Sequence, residues 1–150
     1  MCGYCGCDSI DVVGRFMREH VDIINATGVL RRAVGAGDHA RVKEAVAALR
    51  RLLDPHTEAE EAGLFAVLVE DGEFTHHVRD LCGEHATLTG LLDRVQAGSH
   101  DLVPTLERFL RLHIHREENG LFPAAAIAFG GPEWDRVTAL TPERPSTVAG

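Results

Sequence analysis

Residues 56–65 read HTEAEEAGLF, and residues 113–122 read HIHREENGLF. Both stretches follow the pattern HxxxEExGLF, in which one histidine, two glutamates, a glycine, a leucine and a phenylalanine recur at identical spacing. Residues four apart lie on one face of an α-helix, about one turn from each other. The repeat therefore predicts two related helices, each of which projects an imidazole and a carboxylate in the same direction.

Apolar residues recur with helical periodicity in four long segments of the chain. Turns that contain glycine separate these segments, which cover residues 9–34, 38–69, 74–96 and 104–119. Pro55 interrupts the second segment and is expected to kink it. The pattern predicts an all-α fold, an up-and-down four-helix bundle with a short C-terminal helical segment at residues 134–140.

The chain has the size and composition of one globular domain, with 150 residues of which 45% are apolar and 25% are charged. Aromatic residues are scarce at 5%, as is compatible with packed helices rich in Val, Leu and Ala. We expect a Cys-rich segment at residues 1–8, one bundle domain at residues 9–140 and a flexible tail at residues 141–150.

The first and third predicted helices carry the related tripeptides Arg18-Glu19-His20 and Gly83-Glu84-His85. In an up-and-down bundle, two side chains lie at one height if they are equally far from the turn between their helices. The candidate histidines of the four helices are His20, His56, His85 and His113. The midpoint in sequence between each histidine and the next falls at position 38, between positions 70 and 71, and at position 99. Each midpoint coincides with a predicted turn, so the four helices place their histidines at one level.

Nitrogen and oxygen donors that converge from facing helices suit iron and, less selectively, manganese or zinc. Six side chains around two six-coordinate irons would leave room for an oxo or hydroxo bridge and one small exogenous molecule. The alternative is that these histidines and glutamates are solvated residues on helix faces. The internal repeat and the symmetry of the turns disfavour that alternative.

Over roughly residues 10–123, the chain contains four motifs in order: a single histidine, an HxxxE motif, a second single histidine and a second HxxxE motif. This order resembles the hemerythrin-like, or HHE cation-binding, domain family. The resemblance implies a four-helix bundle with a diiron centre, in which Glu60 and Glu117 bridge the two ions. The ligands that it implies are His20, His56, Glu60, His85, His113 and Glu117.

One position departs from the pattern of the oxygen-carrying hemerythrins, which have a further histidine one turn before the ligand of helix three. Leu81 occupies that position here. An ion with one imidazole fewer is more open, which favours reaction with hydrogen peroxide or nitric oxide over reversible carriage of dioxygen. We therefore interpret the chain as a diiron protein that binds small oxidants and reacts with them.

Three cysteines in the N-terminal segment form a CxxCxC pattern, and a fourth cysteine lies one turn before His85. Thiols in this pattern could bind a second metal, such as zinc, or pass electrons to the diiron site. The alternative is a tail without a role. These candidate redox or metal-binding residues are Cys2, Cys5, Cys7 and Cys82.

Net charge and hydropathy exclude several classes of partner. The formal charge of −8 argues against nucleic acid and against anionic membranes, because both require a basic surface. No apolar run approaches the length of a membrane span, and the N-terminus does not resemble a signal peptide. These features predict a cytoplasmic protein, and they leave its oligomeric state open.

Two other classes of function compete with the reactive diiron protein. One is a binding protein that senses or stores oxygen or iron without turnover. The other is a ferritin-like carboxylate oxidase, which the HxxxE spacing disfavours because that class uses ExxH pairs.

The remaining titratable residues near the motifs are assigned to other roles. Glu61 and Glu118 lie about 100° further round the helix than the preceding glutamates, so we expect surface charges or hydrogen-bond acceptors rather than ligands. His76, His77 and His115 are expected at the surface, whereas the turn positions of His39 and His100 indicate no role.

Overall fold

The computed structural model describes residues 10–145, in which every regular element is helical. Two of the helices continue through a π-helical turn, a turn with i→i+5 hydrogen bonds. The elements are α1 (Asp11–Gly35), α2 (His39–Glu60, then the π-helical turn Glu61–Phe65 and Ala66–Leu68), α3 (Thr75–Gln96), α4 (Val103–Arg116, then the π-helical turn Glu117–Leu121 and Phe122–Ala128) and α5 (Gly131–Leu140).

Short turns join the first four helices where the sequence predicts them. The connecting residues are 36–38, 69–74 and 97–102. Gly37 and Gly98 have φ values of +66° and +120°, a region of backbone conformation that favours glycine. Asp38 then caps α2, since its carboxylate accepts a hydrogen bond of 3.1 Å from the backbone N–H of Arg41.

Helices α1 and α3 both pack against α2 and α4, the two helices that carry the HxxxEExGLF repeat. The described residues therefore form an all-helical bundle in which each repeat helix faces both tripeptide-bearing helices. This arrangement allows side chains from all four helices to meet in the interior.

One sequence-based expectation about the repeat helices needs correction, and another stays a prediction. Helix α2 continues through Pro55, where the expected kink stays a prediction, and a π-helical turn follows Glu60. The prediction that the fourth helix ends near residue 119 is wrong, because α4 continues to Ala128. Pro123 is the second residue after the π-helical turn, where the altered hydrogen-bond register accommodates a residue without an N–H.

Apolar side chains form two clusters, and the candidate histidine of each helix lies between them along the chain. On α1, for example, His20 lies between Met17 of the first cluster and Ile23 of the second. Full burial of a large apolar side chain contributes about 1.5–3 kcal/mol, so both clusters stabilise the bundle strongly. A polar layer is thereby held between two apolar layers.

Helix α5 and the residues after it cover the first repeat. A Cβ atom on Gly63 would lie 2.0 Å from Oγ1 of Thr141 and 3.2 Å from the carbonyl oxygen of Val137. The glycine of the first repeat is therefore required for close packing of the C-terminal segment. A Cβ atom on its counterpart, Gly120, would have a side-chain atom of His77 as its nearest neighbour, at an ordinary van der Waals distance of 3.7 Å.

Substitution Gly63→Ala is expected to lower the free energy of unfolding by about 1–3 kcal/mol, because the added methyl group overpacks the contact with Thr141. Chemical denaturation of the purified variants would measure this loss. The matched control Gly120→Ala adds the same methyl group where space exists, so its stability should equal or slightly exceed that of the wild type. Equal stability of both variants would contradict the packing argument.

None of the helices in the described part of the chain combines the length and the apolar character that a membrane span requires.

Candidate metal centre

Six polar side chains converge between the two apolar clusters, where charged residues are rarely found unless they are paired. They form two overlapping groups, and within each group the candidate ligand atoms lie within 4.8 Å of one another. The first group is His20, His56, Glu60 and Glu117, and the second is Glu60, His85, His113 and Glu117. All six are buried. The structure thus brings together every residue that the resemblance implied as a ligand.

Glu117 lies between the two groups and contacts one histidine of each. Its Oε1 atom lies 3.1 Å from Nε2 of His20 and 3.1 Å from Nε2 of His113. Because its side chain is completely inaccessible, water cannot solvate this carboxylate. The carboxylate of Glu117 is therefore within reach of both groups.

Glu60 has the corresponding position on α2. Its Oε1 atom lies 3.1 Å from Nε2 of His56 and 3.4 Å from Nε2 of His85. The Nε2 atom of His85 also lies 3.1 Å from Nε2 of His113. Two neutral imidazoles would direct lone pairs at each other across this distance unless a proton or a cation lay between them.

Six buried atoms of the cluster have no hydrogen-bond partner within the described residues. They are Nε2 of His20, Nε2 of His56, and both carboxylate oxygens of Glu60 and of Glu117. A buried polar atom without a partner costs about 1–3 kcal/mol, and more when it is charged. Cations bound between these atoms would remove that cost, so the donor set fits metal ions.

The second glutamate of each repeat holds the single histidine of a neighbouring helix. Nδ1 of His20 lies 2.7 Å from Oε2 of Glu118, and Nδ1 of His85 lies 3.2 Å from Oε2 of Glu61. A carboxylate accepts hydrogen bonds, so Nδ1 donates and Nε2 is the nitrogen that faces the interior and is left for a cation. This agrees with the expectation that Glu61 and Glu118 are hydrogen-bond acceptors.

The glutamate before each single histidine holds the histidine of a repeat in the same way. Nδ1 of His56 donates to Glu19 over 2.8 Å, and Nδ1 of His113 donates to Glu84 over 2.9 Å. Glu19 and Glu84 had no predicted role. The signal was present, because a Glu-His dipeptide occurs in both α1 and α3.

Three phenylalanines cover the imidazoles on their apolar side. The ring of Phe122 stacks on His20 with an interplanar angle of 5°, and the ring of Phe65 stacks on His85 at 14°. Phe16 meets His56 edge-on, with ring centroids 5.5 Å apart. The last residue of each repeat therefore packs on the histidine that the second glutamate of the same repeat holds.

The model of the hemerythrin HHE cation-binding domain family matches residues 11–125, most of the chain. The chain belongs to this family. Hemerythrin-like domains bind metal cations, and the two His/Glu groups of this one could hold them. Comparisons with curated proteins and with solved structures gave no significant match.

The histidines of this hemerythrin-like domain are basic in the absence of metal. Burial opposes the charged form of His20, but the carboxylates of Glu117 and Glu118, one beside each ring nitrogen, raise its pKa from 6.5 to about 9. Burial likewise opposes the charged form of His56, whereas the charge of Glu60 and the hydrogen bond to Glu19 raise its pKa to about 10. The raised pKa values favour protonated forms of His20 and His56 near neutral pH in the absence of metal.

Metal binding should release protons near pH 7, because His20 and His56 must lose a proton before Nε2 can bind a cation. We expect the apparent metal affinity to rise with pH up to about pH 9–10, where these groups are already neutral. A pH indicator in weakly buffered solution would measure the protons released on metal addition. Affinity that is independent of pH from 7 to 9 would contradict this expectation.

The same shifts predict how the metal-free protein responds to pH. A raised histidine pKa stabilises the fold below the unfolded value of 6.5, and this contribution is lost as pH rises through about 9 for His20 and about 10 for His56. Thermal unfolding between pH 6.5 and 10 should therefore show falling stability for the metal-free form. The metal-loaded form should not show this loss.

Leu81 is fully buried within the first apolar cluster, together with Phe16, Phe65 and Phe122. The domain thus has an aliphatic residue where the oxygen-carrying hemerythrins have a further histidine. Cys82 is partly buried beside it, and burial together with the negative charge of Glu61 raises the pKa of its thiol to about 12. A thiol with a raised pKa is less reactive.

The other predicted residues lie away from the cluster or outside the described range. His39, His76 and His115 are exposed, whereas His77 and His100 are partly exposed. Cys2, Cys5 and Cys7 lie outside the described residues 10–145, so their predicted redox or metal-binding role stays a prediction.

Proposed function

We propose that this hemerythrin-like domain binds two iron ions, joined by an oxo or hydroxo bridge, and reacts with small oxidants. The proposed ligands are His20, His56, Glu60, His85, His113 and Glu117, with the two glutamates as bridges. The observation that carries the proposal is a set of buried carboxylate and imidazole atoms that have no hydrogen-bond partner among the described residues and that lie in two groups sharing Glu60 and Glu117.

The donor set supports iron over the alternatives. Each group offers two imidazole nitrogens and oxygens from the same two carboxylates, a mixture that suits iron, and less selectively manganese or zinc. Zinc in structural sites prefers four closed tetrahedral ligands and does not need shared carboxylates. Manganese and zinc therefore rank behind iron in this proposal.

The protein's own residues would hold and shield the metal pair. Glu19, Glu61, Glu84 and Glu118 fix the orientation of the four imidazoles through Nδ1. The three phenylalanine rings exclude water from one side of the site. Bound iron would supply one-electron redox chemistry toward hydrogen peroxide, nitric oxide or dioxygen.

We also propose that Leu81 directs the domain towards reaction rather than oxygen carriage. This aliphatic side chain is fully buried and cannot act as a ligand. Neither group has a third histidine, since each contains two imidazoles. Two metal ions with incomplete protein ligation could each accept a small molecule.

A sensing or storage protein is the second candidate, and the origin of the ligands favours it. The six proposed ligands come from all four long helices, so the metal state would couple to the packing of the entire bundle. Such a protein would change its susceptibility to proteolysis on metal loading, without turnover.

Metal analysis combined with an absorption spectrum, before and after addition of peroxide, tests the proposal. We expect two irons per chain, an oxo-bridge absorption band, and bleaching followed by recovery as peroxide is consumed. Two bound irons without consumption of peroxide or nitric oxide would favour the sensing or storage alternative. Tight binding of zinc or manganese with exclusion of iron would overturn the proposal.

The fold and cellular context complete the proposal. We propose an up-and-down four-helix bundle over residues 9–140, supported by short connections and by the contacts of α1 and α3 with both repeat helices. We further propose a cytoplasmic location, with residues 1–8 as a redox or metal-binding segment. Of the predicted tail at residues 141–150, Thr141, Pro142 and Arg144 contact the bundle, and residues 146–150 lie outside the described residues.

A further inference from the structure

The two groups of candidate ligands are equivalent in their protein donors. Each has one histidine from a tripeptide, one histidine from a repeat, and the same two glutamates. The number of ligands therefore does not determine which of the two metals meets an incoming molecule. Any difference must come from the residues that surround each group.

The group that contains His20 and His56 is covered by the C-terminal segment. Nη1 of Arg15 donates a hydrogen bond of 2.8 Å to the carbonyl oxygen of Pro142. Arg15 also pairs with Glu19, and Nε of Arg144 lies 3.3 Å from the same carboxylate. Only 17% of the Arg15 side chain is exposed, so the outer side of Glu19 and His56 is closed.

Phe16 closes the apolar side of the same group. It is fully buried, one turn before His20, and its ring contacts the rings of both His56 and Phe122. An aromatic ring held on two sides leaves little space for an exogenous molecule to pass.

The group that contains His85 and His113 has an open groove of about 580 Å³ beside it, on the surface of α3 and α4. Leu81 stands where Phe16 stands on α1, one turn before the single histidine, and lies at the inner wall of this groove with none of its side chain exposed. Glu84 and Arg116 line the same groove, and Glu84 binds Nδ1 of His113. The Arg116 side chain is 46% exposed, compared with 17% for Arg15, so this side is less covered.

We propose that small molecules with two or three non-hydrogen atoms enter through the groove between α3 and α4, past Leu81, and bind the metal held by His85 and His113. This inference rests on the proposed diiron site. It assigns the two metals different roles, since the metal held by His20 and His56 is enclosed by the Arg15, Phe16 and C-terminal contacts. Leu81 and the residues of the groove then determine which molecules reach the reactive metal.

Two glycines on α3 provide a matched pair of variants for the test. A Cβ atom on Gly83 or on Gly90 would meet no atom within 4 Å, so both positions accept a larger side chain without a clash at Cβ. Gly83 lines the groove and Gly90 does not. Substitution Gly83→Trp therefore fills the groove from outside, whereas Gly90→Trp makes the same change two turns away.

Association of azide with the iron-loaded protein, followed by stopped-flow absorption, gives a readout independent of turnover. Because entry would require displacement of the indole ring, we expect Gly83→Trp to slow association by at least about tenfold. Iron content and the final azide spectrum should stay as in the wild type. Gly90→Trp should associate with azide at the wild-type rate.

Each remaining outcome is informative. Equal rates for the wild type and Gly83→Trp would overturn the groove as the route, while leaving the diiron site intact. A crystal structure of the azide complex should place azide on the metal beside His85 and His113. Azide beside His20 and His56 would overturn the assignment, and a protein that fails to bind iron would overturn both this inference and the proposed function.

Discussion

Substitution Glu60→Gln is expected to abolish stoichiometric metal binding. Glu60 belongs to both groups of candidate ligands, so its loss removes a negative oxygen donor from each metal. Loss of an outer hydrogen-bond partner typically weakens metal binding by about 10–100-fold, and loss of a shared ligand should exceed this. Metal analysis of the purified variant after loading would measure the effect.

Two glutamates on the same helix serve as controls for Glu60. Glu58 is exposed, so Glu58→Gln should bind metal as the wild type does. Glu61→Gln keeps the ligand set but weakens the acceptor of His85 Nδ1, so its affinity should fall by about 10–100-fold. Full metal occupancy in Glu60→Gln would show that this carboxylate does not bridge the site.

Removal of metal should lower the melting temperature by about 8–16 °C. A ligand at a thousandfold excess over its Kd stabilises the folded state by about 4 kcal/mol. For a domain of this size, each kcal/mol corresponds to about 2–4 °C. The physical reason is that metal ions would neutralise two inaccessible carboxylates and connect four helices. Calorimetry of the loaded and chelator-treated protein would measure the shift.

Comparison of two histidine variants on α4 distinguishes the loss of a metal ligand from other effects of removing an imidazole. His113 lies in the second candidate group, so His113→Ala should lose most of the metal-dependent shift in melting temperature. His115 is exposed two residues further along, and His115→Ala should keep the full shift. Equal metal-dependent shifts in both variants would contradict the proposed role of His113.

The repeat made the helices and the candidate ligands predictable from the sequence. The HxxxE spacing places two donors on one face because the α-helix repeats every 3.6 residues, a local property that needs no tertiary information. Two of the turns were predictable from another local property, since Gly37 and Gly98 adopt backbone conformations that few other residues tolerate. Buried positions of all six candidate ligands follow from these local rules combined with the symmetry of the turns.

The hydrogen bonds of the imidazoles could not be assigned from local rules. Glu19 pairs with His56 and Glu84 pairs with His113, in each case between two consecutive helices. Which helices face each other, and in which rotation, depends on packing of the entire bundle. The continuation of α4 through Pro123 was missed because a π-helical turn changes the hydrogen-bond register that the usual rule for proline assumes.

The sequence alone determined the helical fold, the level of the four histidines and the donor chemistry, because spacing along a helix dictates which side chains project together. Only the tertiary structure decided how the two halves of the site differ. Arg15 and the C-terminal segment cover one half, whereas Leu81 and an open groove border the other. Local periodicity makes the two HxxxEExGLF helices alike, and only contacts between distant segments can make their surroundings unequal.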